Sequence, residues 1–166
     1  MKKLVLVIIV LSYIYVLSSC DEKHVAPSNV GTHVLGILQT LDTLSESNFE
    51  KHFISYNELH NTMSDIGAAA RKAFYDAPLD KDSYAEAIND LYHQFKVGEM
   101  KNYITWKDME YVDFEYRKYS DYGVTLIAGV LRFKNSKANY SIKIHWLSTP
   151  KTAGLLELFS FWEMNL

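Results

Sequence analysis

The chain has 166 residues, of which 48% are hydrophobic and 14% aromatic, and this composition predicts one globular domain and argues against disorder. Lys and Arg number 17 against 20 Asp and Glu, so the chain lacks the basic excess of nucleic-acid-binding proteins, and no nucleic acid is expected as a partner. The single cysteine excludes an internal disulfide and a CxxC metal site, and we expect no metal and no cofactor.

Residues 1–19 have the layout of an export signal. Lys2 and Lys3 precede an apolar run from Leu4 to Leu17 that only Ser12 interrupts. A run of about 14 residues spans roughly 21 Å as a helix, which is short of the ~30 Å hydrocarbon core of a bilayer. We therefore predict a cleaved signal peptide and not a transmembrane helix.

The apolar run ends in Leu17-Ser18-Ser19-Cys20, which resembles the lipobox of bacterial lipoproteins. The resemblance implies that the thiol of Cys20 is diacylated and that the peptide is cleaved just before it. Cys20 would then be the first residue of a protein attached to a membrane by its acyl chains. The alternative is an ordinary secretory peptide followed by a free thiol.

The residues after Cys20 bear on the location of the protein. Asp21 and Glu22 resemble the acidic start of Bacteroidota lipoproteins, in which such a stretch often accompanies export to the cell surface; in enterobacteria an aspartate there is associated with inner-membrane retention. The polar residues 20–29, which include Pro27, are predicted to be the lipidated cysteine and a tether. We expect a lipid-anchored envelope protein, at the outer membrane or cell surface, with the inner membrane as the alternative.

The first half of the body is predicted to be helical. One amphipathic helix is expected between Thr32 and Ser45, where apolar residues recur at spacings of three and four: Val34, Ile37, Leu38, Leu41 and Leu44. Ser47–Glu50 and Ser55–Glu58 both fit the capping-box pattern, so two further helices should begin near residues 48 and 56.

The helix that begins near residue 56 is expected to run to about Tyr75, because Ala77-Pro78 follows and breaks it. Asp82 is predicted to cap a last helix that bears Tyr84, Ile88 and Phe95. Gly98 is predicted to end this helix.

After residue 103 the apolar period changes to two, which predicts strands. A short strand is expected at Tyr103–Trp106, followed by four longer ones at 112–116, 124–133, 140–146 and 156–158, the last continuing to Trp162. The connections are too short for crossovers, so the strands form an antiparallel meander. About three helices followed by a curved meander of four to five strands predict a single α+β domain over residues 30–166.

The order of helices and a meander that ends in a Trp-containing strand resembles the NTF2-like and cystatin-like folds, in which the sheet wraps around a helix. The segments Ile104-Thr105-Trp106-Lys107-Asp108 and Tyr140-Ser141-Ile142-Lys143-Ile144 also resemble a pattern found in Bacteroidota lipoproteins of unknown function. The resemblance implies the fold more than an activity.

Alternation along the strands predicts a polar face. If Val112, Phe114 and Tyr116 face the core, the alternate residues of this strand face the other way: Tyr111, Asp113, Glu115 and Arg117. On a later strand, Lys143 and His145 also face away from the core. In NTF2-like enzymes a carboxylate or His-Asp pair in the sheet pocket performs acid-base work, so Asp113 and His145 are the candidate catalytic pair. Solvation and cross-strand charge pairing explain the same residues without catalysis.

Aromatic residues are abundant, with 12 Tyr, 8 Phe and 3 Trp. They could line a cleft for a sugar, a lipid tail or a peptide, or they could pack a helix against the sheet. The candidate ligand-binding residues are Tyr111, Tyr116, Trp146, Phe159 and Trp162. The expected function is that of a lipid-anchored envelope domain that binds a protein or a small apolar or sugar ligand; the alternative is a small hydrolase, lyase or isomerase.

Overall fold

The computed structural model of the chain describes residues 25–65, 80–102, 104–121, 123–158 and 162–164. The predicted signal peptide, Cys20, Asp21, Glu22 and Phe159 lie outside these residues. The described elements are a 3-10 turn (Pro27–Asn29), helices α1 (Val30–Gln39), α2 (Glu46–Glu50), α3 (Tyr56–Asp65) and α4 (Lys81–Asn102), a second 3-10 turn (Trp106–Asp108), and strands β1 (Glu110–Asp121), β2 (Val124–Lys134), β3 (Asn139–Ser148), β4 (Ala153–Leu158) and β5 (Trp162–Met164).

The helices precede one antiparallel sheet with the order β1-β2-β3-β4, which confirms the predicted α+β class and meander. β4 pairs with residues 144–148 of β3, and β5 pairs with residues 139–141. The two short strands therefore share the edge of β3 that faces away from β2. The predicted last strand is thus two strands.

Helix α1 packs on one face of the sheet, which we call the helix face. Its residues Val34 and Leu38 are fully buried, and the ring of His33 meets Trp146 of β3 edge-on at 5.4 Å between centroids. The alternating pattern of β2 and β3 supplies the other half of this core: Ile127, Leu131, Phe133, Tyr140, Ile142 and Ile144. Val25 also packs against the core, so residues that the sequence assigns to the tether already contact the domain.

Helices α3 and α4 begin after side-chain oxygen atoms that accept backbone N–H groups, whereas Asn29 before α1 and Ser45 before α2 make no such bond. The capping box at Ser55–Glu58 is confirmed: the Glu58 N–H donates to the Ser55 hydroxyl, which donates to the Glu58 carboxylate at 2.9 Å. The box at Ser47 is wrong, because α2 begins at Glu46 after Ser45. Asp82 is also wrong as a cap; Asp80 accepts the N–H groups of Asp82 and Ser83, so α4 begins at Lys81.

Three predicted boundaries differ from the structure. α1 ends at Gln39 and not near Ser45, because the chain tightens into turns in which the Thr40 N–H and hydroxyl both bond to the Ile37 carbonyl. α4 continues through Gly98 to Asn102, since a helical glycine costs only about 1 kcal/mol and the helix is held by Phe95, which is 1% exposed and packs on Trp106. The strand predicted at 103–106 is wrong: Trp106 begins a 3-10 turn and is fully buried.

Candidate functional site

The two edges of the sheet differ. At the β4 edge, the Ile54 N–H donates to the Leu155 carbonyl and the Leu155 N–H donates to the His52 carbonyl, both at 2.8 Å, so the segment before α3 covers this edge. At the other edge lies β1, which has 12 residues. In the part of the chain that the structure describes, its only strand neighbour is β2. Among the described segments β1 is therefore an edge strand, and its outer side pairs with none of them.

The edge strand carries most of the large hydrophobic residues that are exposed in the described part of the chain. Four of the five large hydrophobic residues that are exposed lie on β1, with exposures of 38% to 48%; they are Tyr111, Val112, Tyr116 and Tyr119. We call these four residues the edge patch. Exposed aromatic residues concentrated on one strand are typical of a surface that binds a partner.

A β-bulge at Val112 changes which face each aromatic residue occupies. The register of β1 on β2 shifts between Tyr111 and Asp113, so Tyr111 pairs with Phe133 and lies on the helix face with Phe114. The sequence prediction, which put Tyr111 on the polar face beside Asp113, is corrected by this extra residue. Tyr116 also lies on the helix face, where its ring stacks on Phe114 at 5.3 Å.

The predicted polar face exists, and cross-strand pairing arranges it in rows. Asp113 lies beside Arg132, and further along the strands Arg117, Ala128 and His145 form another row. This confirms that Asp113 and His145 share a face. The opposite end of the same face is apolar, because Leu126 and Leu147 are buried there.

Arg132 is the electrostatic centre of the polar face, which the sequence prediction missed. Its two terminal nitrogens donate to Asp113 at 2.9 Å and to Glu115 at 3.0 Å. The hydrogen bond to Glu115, and then that to Asp113, raises the pKa of the guanidinium above its ordinary value. The sequence contained a signal for this contact in the length of the hairpin connection. When Asp121 pairs with Val124, the register of the hairpin places Asp113 opposite Arg132.

The structure does not bring Asp113 and His145 together. They lie on β1 and β3, so about 10 Å separates them across the strands and about 14 Å along them. Asp113 bonds instead to Arg132. A general base needs hydrogen-bond reach to the group with which it exchanges a proton, and this separation does not give the pair that geometry.

The predicted aromatic cleft is divided between core and surface. Trp146 is 2% exposed and packs on His33 in the core, so it does not line a surface with Tyr111 and Tyr116, which lie on the edge. Trp162 belongs to β5, where its backbone pairs with Ser141. The burial of Trp146 follows from its position opposite Ile127 on the helix face.

Two small clefts have no residue of the edge patch in their lining. One, with a volume of about 260 Å³, is formed by α3 and the turn between β3 and β4, with Glu58, Thr62 and Lys151 in its lining. The other, of about 250 Å³, lies between α2 and α4 and is lined by Glu46, Glu50 and Glu86. Within the described ranges, no group of three or more His, Cys, Asp or Glu side chains could hold a metal ion.

Comparisons with protein-family models, curated proteins and solved structures found no match to this chain. None of the helices in the described segments is both long and apolar enough to cross a bilayer. The resemblances to Bacteroidota lipoproteins and to NTF2-like or cystatin-like domains therefore remain predictions.

Proposed function

We propose that this chain is a lipid-anchored binding module of the bacterial cell envelope, which recognises its partner through strand β1. The observation that carries the proposal is the concentration of exposed aromatic residues on an edge strand whose outer side pairs with no other described segment. Exposed edges bind extended segments because their backbone groups supply hydrogen bonds and their side chains supply specificity.

The proposed anchor is the diacylated Cys20 at the end of the lipobox-like segment. The proposed tether lies within residues 20–29, and Val25 of this segment already packs against the core of the domain. Two or three acyl chains hold a protein on a bilayer far more firmly than one chain, at ~0.8 kcal/mol per buried methylene. The acidic residues Asp21 and Glu22 favour the outer membrane or the cell surface.

The proposed fold within the α+β class is NTF2-like or cystatin-like. The crossing of α1 over one face of the antiparallel meander, with His33 on Trp146, supports this assignment. The distance between Asp113 and His145 favours a binding role over acid-base catalysis.

Acyl labelling with membrane fractionation tests the anchor. We expect the wild-type chain to take up labelled fatty acid and to sediment with membranes, and Cys20→Ala to do neither. Ser19→Ala is the matched control, because a small residue still precedes the cysteine, and it should behave as wild type. Unchanged labelling of Cys20→Ala would overturn the proposed anchor.

Site-specific photo-cross-linking in the native envelope tests the binding surface. A photoreactive amino acid at Tyr119 should form an adduct of defined mass, since this side chain is 48% exposed on the edge strand. The same probe at Lys137, which is exposed in the turn between β2 and β3, is the control and should not. Equal adducts at both positions, or none at Tyr119, would contradict a binding role of β1.

A further inference from the structure

We propose that the partner of β1 is β1 of a second copy of this chain, paired antiparallel about a two-fold axis at Tyr116. This inference names the partner for the proposed binding surface and so rests on the proposed function. The result would be one continuous sheet across two subunits, with an isologous interface in which each copy contributes the same strand.

The charges of β1 are divided between its two halves. The first half is acidic, with Glu110, Asp113 and Glu115, whereas the second half carries Arg117 and Lys118 before Asp121 ends the strand. When a strand pairs antiparallel with its own copy, its first half lies against the second half of the other. Opposite charges placed directly across a strand pair stabilise it, and like charges destabilise it.

The fold restricts which registers are possible. A two-fold axis that relates antiparallel strands is perpendicular to the sheet, so each residue keeps its face and one residue must lie opposite itself. With Tyr116 at the axis, Glu115 lies opposite Arg117 of the second copy, and this pair occurs twice. Phe114 then lies opposite Lys118 of the second copy, and no like charges meet.

Other registers place like charges opposite each other or pair fewer residues. An axis at Asp113, Glu115, Arg117 or Lys118 places a charged residue against itself. An axis at Phe114 sets Asp113 against Glu115, both acidic. An axis at Tyr119 places Arg117 against Asp121 but pairs only residues 117–121, whereas the axis at Tyr116 pairs residues 113–119 and stops at the bulge of Val112.

The side chains of this segment suit the pairing. Tyr116 is 38% exposed, and its ring is positioned by stacking on Phe114. In the dimer the Tyr116 side chains of the two copies would contact each other at the axis. The Arg132 guanidinium donates a hydrogen bond to Oε2 of Glu115 at 3.0 Å. The Glu115 carboxylate has further acceptor sites, so it can also accept a hydrogen bond from Arg117 of the second copy. The contact with Arg132 thus holds Glu115 on the sheet face on which Arg117 of the second copy would lie.

A cysteine scan of the full chain in its native envelope tests the axis. Residues opposite each other lie with Cα atoms about 4.5 to 5.5 Å apart, within the range that a disulfide spans. We therefore expect Tyr116→Cys to form a disulfide-linked dimer under oxidising conditions. Tyr119→Cys is the control: its two copies would be about 20 Å apart, and no dimer should form. No dimer with Tyr116→Cys, or an equal yield with both, would overturn the proposal.

A charge swap tests the register by sedimentation of the detergent-solubilised full chain. Glu115→Arg and Arg117→Glu should each weaken dimerisation by about tenfold or more, because each places like charges opposite each other in both symmetric pairs. The double variant Glu115→Arg/Arg117→Glu restores opposite charges across the pair and should associate more tightly than Glu115→Arg, because both variants lose the bond to Arg132 and differ only in the cross-strand charge. Lys143→Glu is the control with the same charge change as Arg117→Glu, away from the edge, and should associate as wild type.

These outcomes separate the inference from the proposed function. A wild-type chain that is monomeric at all concentrations, while Tyr119 cross-links to a different protein, would overturn the second copy as partner and support β1 as a binding strand. A dimer that the single charge variants leave intact would overturn the Tyr116 register. A charge-dependent dimer with no acylation of Cys20 would support the pairing and overturn only the anchor.

Discussion

Gly31 of α1 lies directly against Phe114 of the edge strand: a Cβ placed on Gly31 would be 2.5 Å from the Phe114 Cβ. On the sheet side, a Cβ on Gly129 would lie 2.6 Å from Phe114 Cε2 and 2.6 Å from the Glu115 carbonyl oxygen. One aromatic side chain is thus enclosed by two glycines. Because Tyr116 stacks on the same ring, this contact also positions the exposed part of β1.

Two glycine substitutions in α1 should have opposite effects. Gly31→Ala should lower the free energy of unfolding by about 1 to 3 kcal/mol, since the new methyl group collides with Phe114. Gly36→Ala should raise it by about 0.5 to 1 kcal/mol, because its Cβ meets no atom within 4 Å and alanine favours the helix. Urea denaturation measures both values; effects of the same sign would contradict this packing.

Because Trp106 is buried and Tyr119 is exposed, replacing each with alanine should lower the free energy of unfolding by different amounts. Trp106 is fully buried and its ring lies 5.5 Å from Phe95 and 5.9 Å from Phe133, so Trp106→Ala should cost about 3 to 5 kcal/mol. Tyr119→Ala removes an exposed ring and should change stability by no more than about 0.5 kcal/mol. Thermal unfolding of the two variants, side by side, provides the measurement. A large loss with Tyr119→Ala would mean that the edge patch serves the fold and not a partner.

Only one of the two capping-box serines should matter to helix stability. Ser55→Ala removes the acceptor of the Glu58 N–H and should lower the free energy of unfolding by about 1 kcal/mol. Ser47→Ala should be close to neutral, because α2 begins at Glu46 and Ser47 lies inside it. Denaturant titration checks the pair, and equal losses would show that both serines act as caps.

Protonation of Asp80 at low pH should lower the free energy of unfolding. The backbone N–H of Ser83, followed by its hydroxyl, bonds to the carboxylate and lowers the pKa of Asp80 below its ordinary value. A carboxylate with a lower pKa in the folded state than in the unfolded state stabilises the fold above its unfolded pKa. That stabilisation is lost as the pH falls from about 4 through the folded pKa.

Asp80→Asn tests this dependence, because asparagine keeps the cap and cannot titrate. The difference in stability between wild type and Asp80→Asn should shrink as the pH is lowered from 6 to 3. Exposed Asp82, which accepts no comparable set of bonds among the described residues, supplies the control variant Asp82→Asn. A pH profile that is identical for wild type and Asp80→Asn would contradict the role of Asp80.

Local chemistry in the sequence predicted much of the fold correctly. The change of apolar period from 3.6 to two near residue 103 predicted helices followed by strands, and the short turns predicted antiparallel neighbours. Ser55 and Glu58, three residues apart, predicted the start of α3. These features succeeded because the interactions involved connect residues that are close along the chain.

Other features depend on contacts between residues that are distant in the chain, and only the tertiary structure decided them. Gly98 lies inside a helix because packing outweighs its small propensity cost, and Trp106 ends in the core because Phe95 and Phe133 surround it. The bulge at Val112 moves Tyr111 to the other face, and strand order leaves β1 at the edge while Trp146 lies inside. Alternation along one strand assigns residues to two faces, but it does not reveal which strand has a neighbour on each side. The exposure of Tyr116 and the burial of Trp146 therefore followed from the order of strands in the sheet.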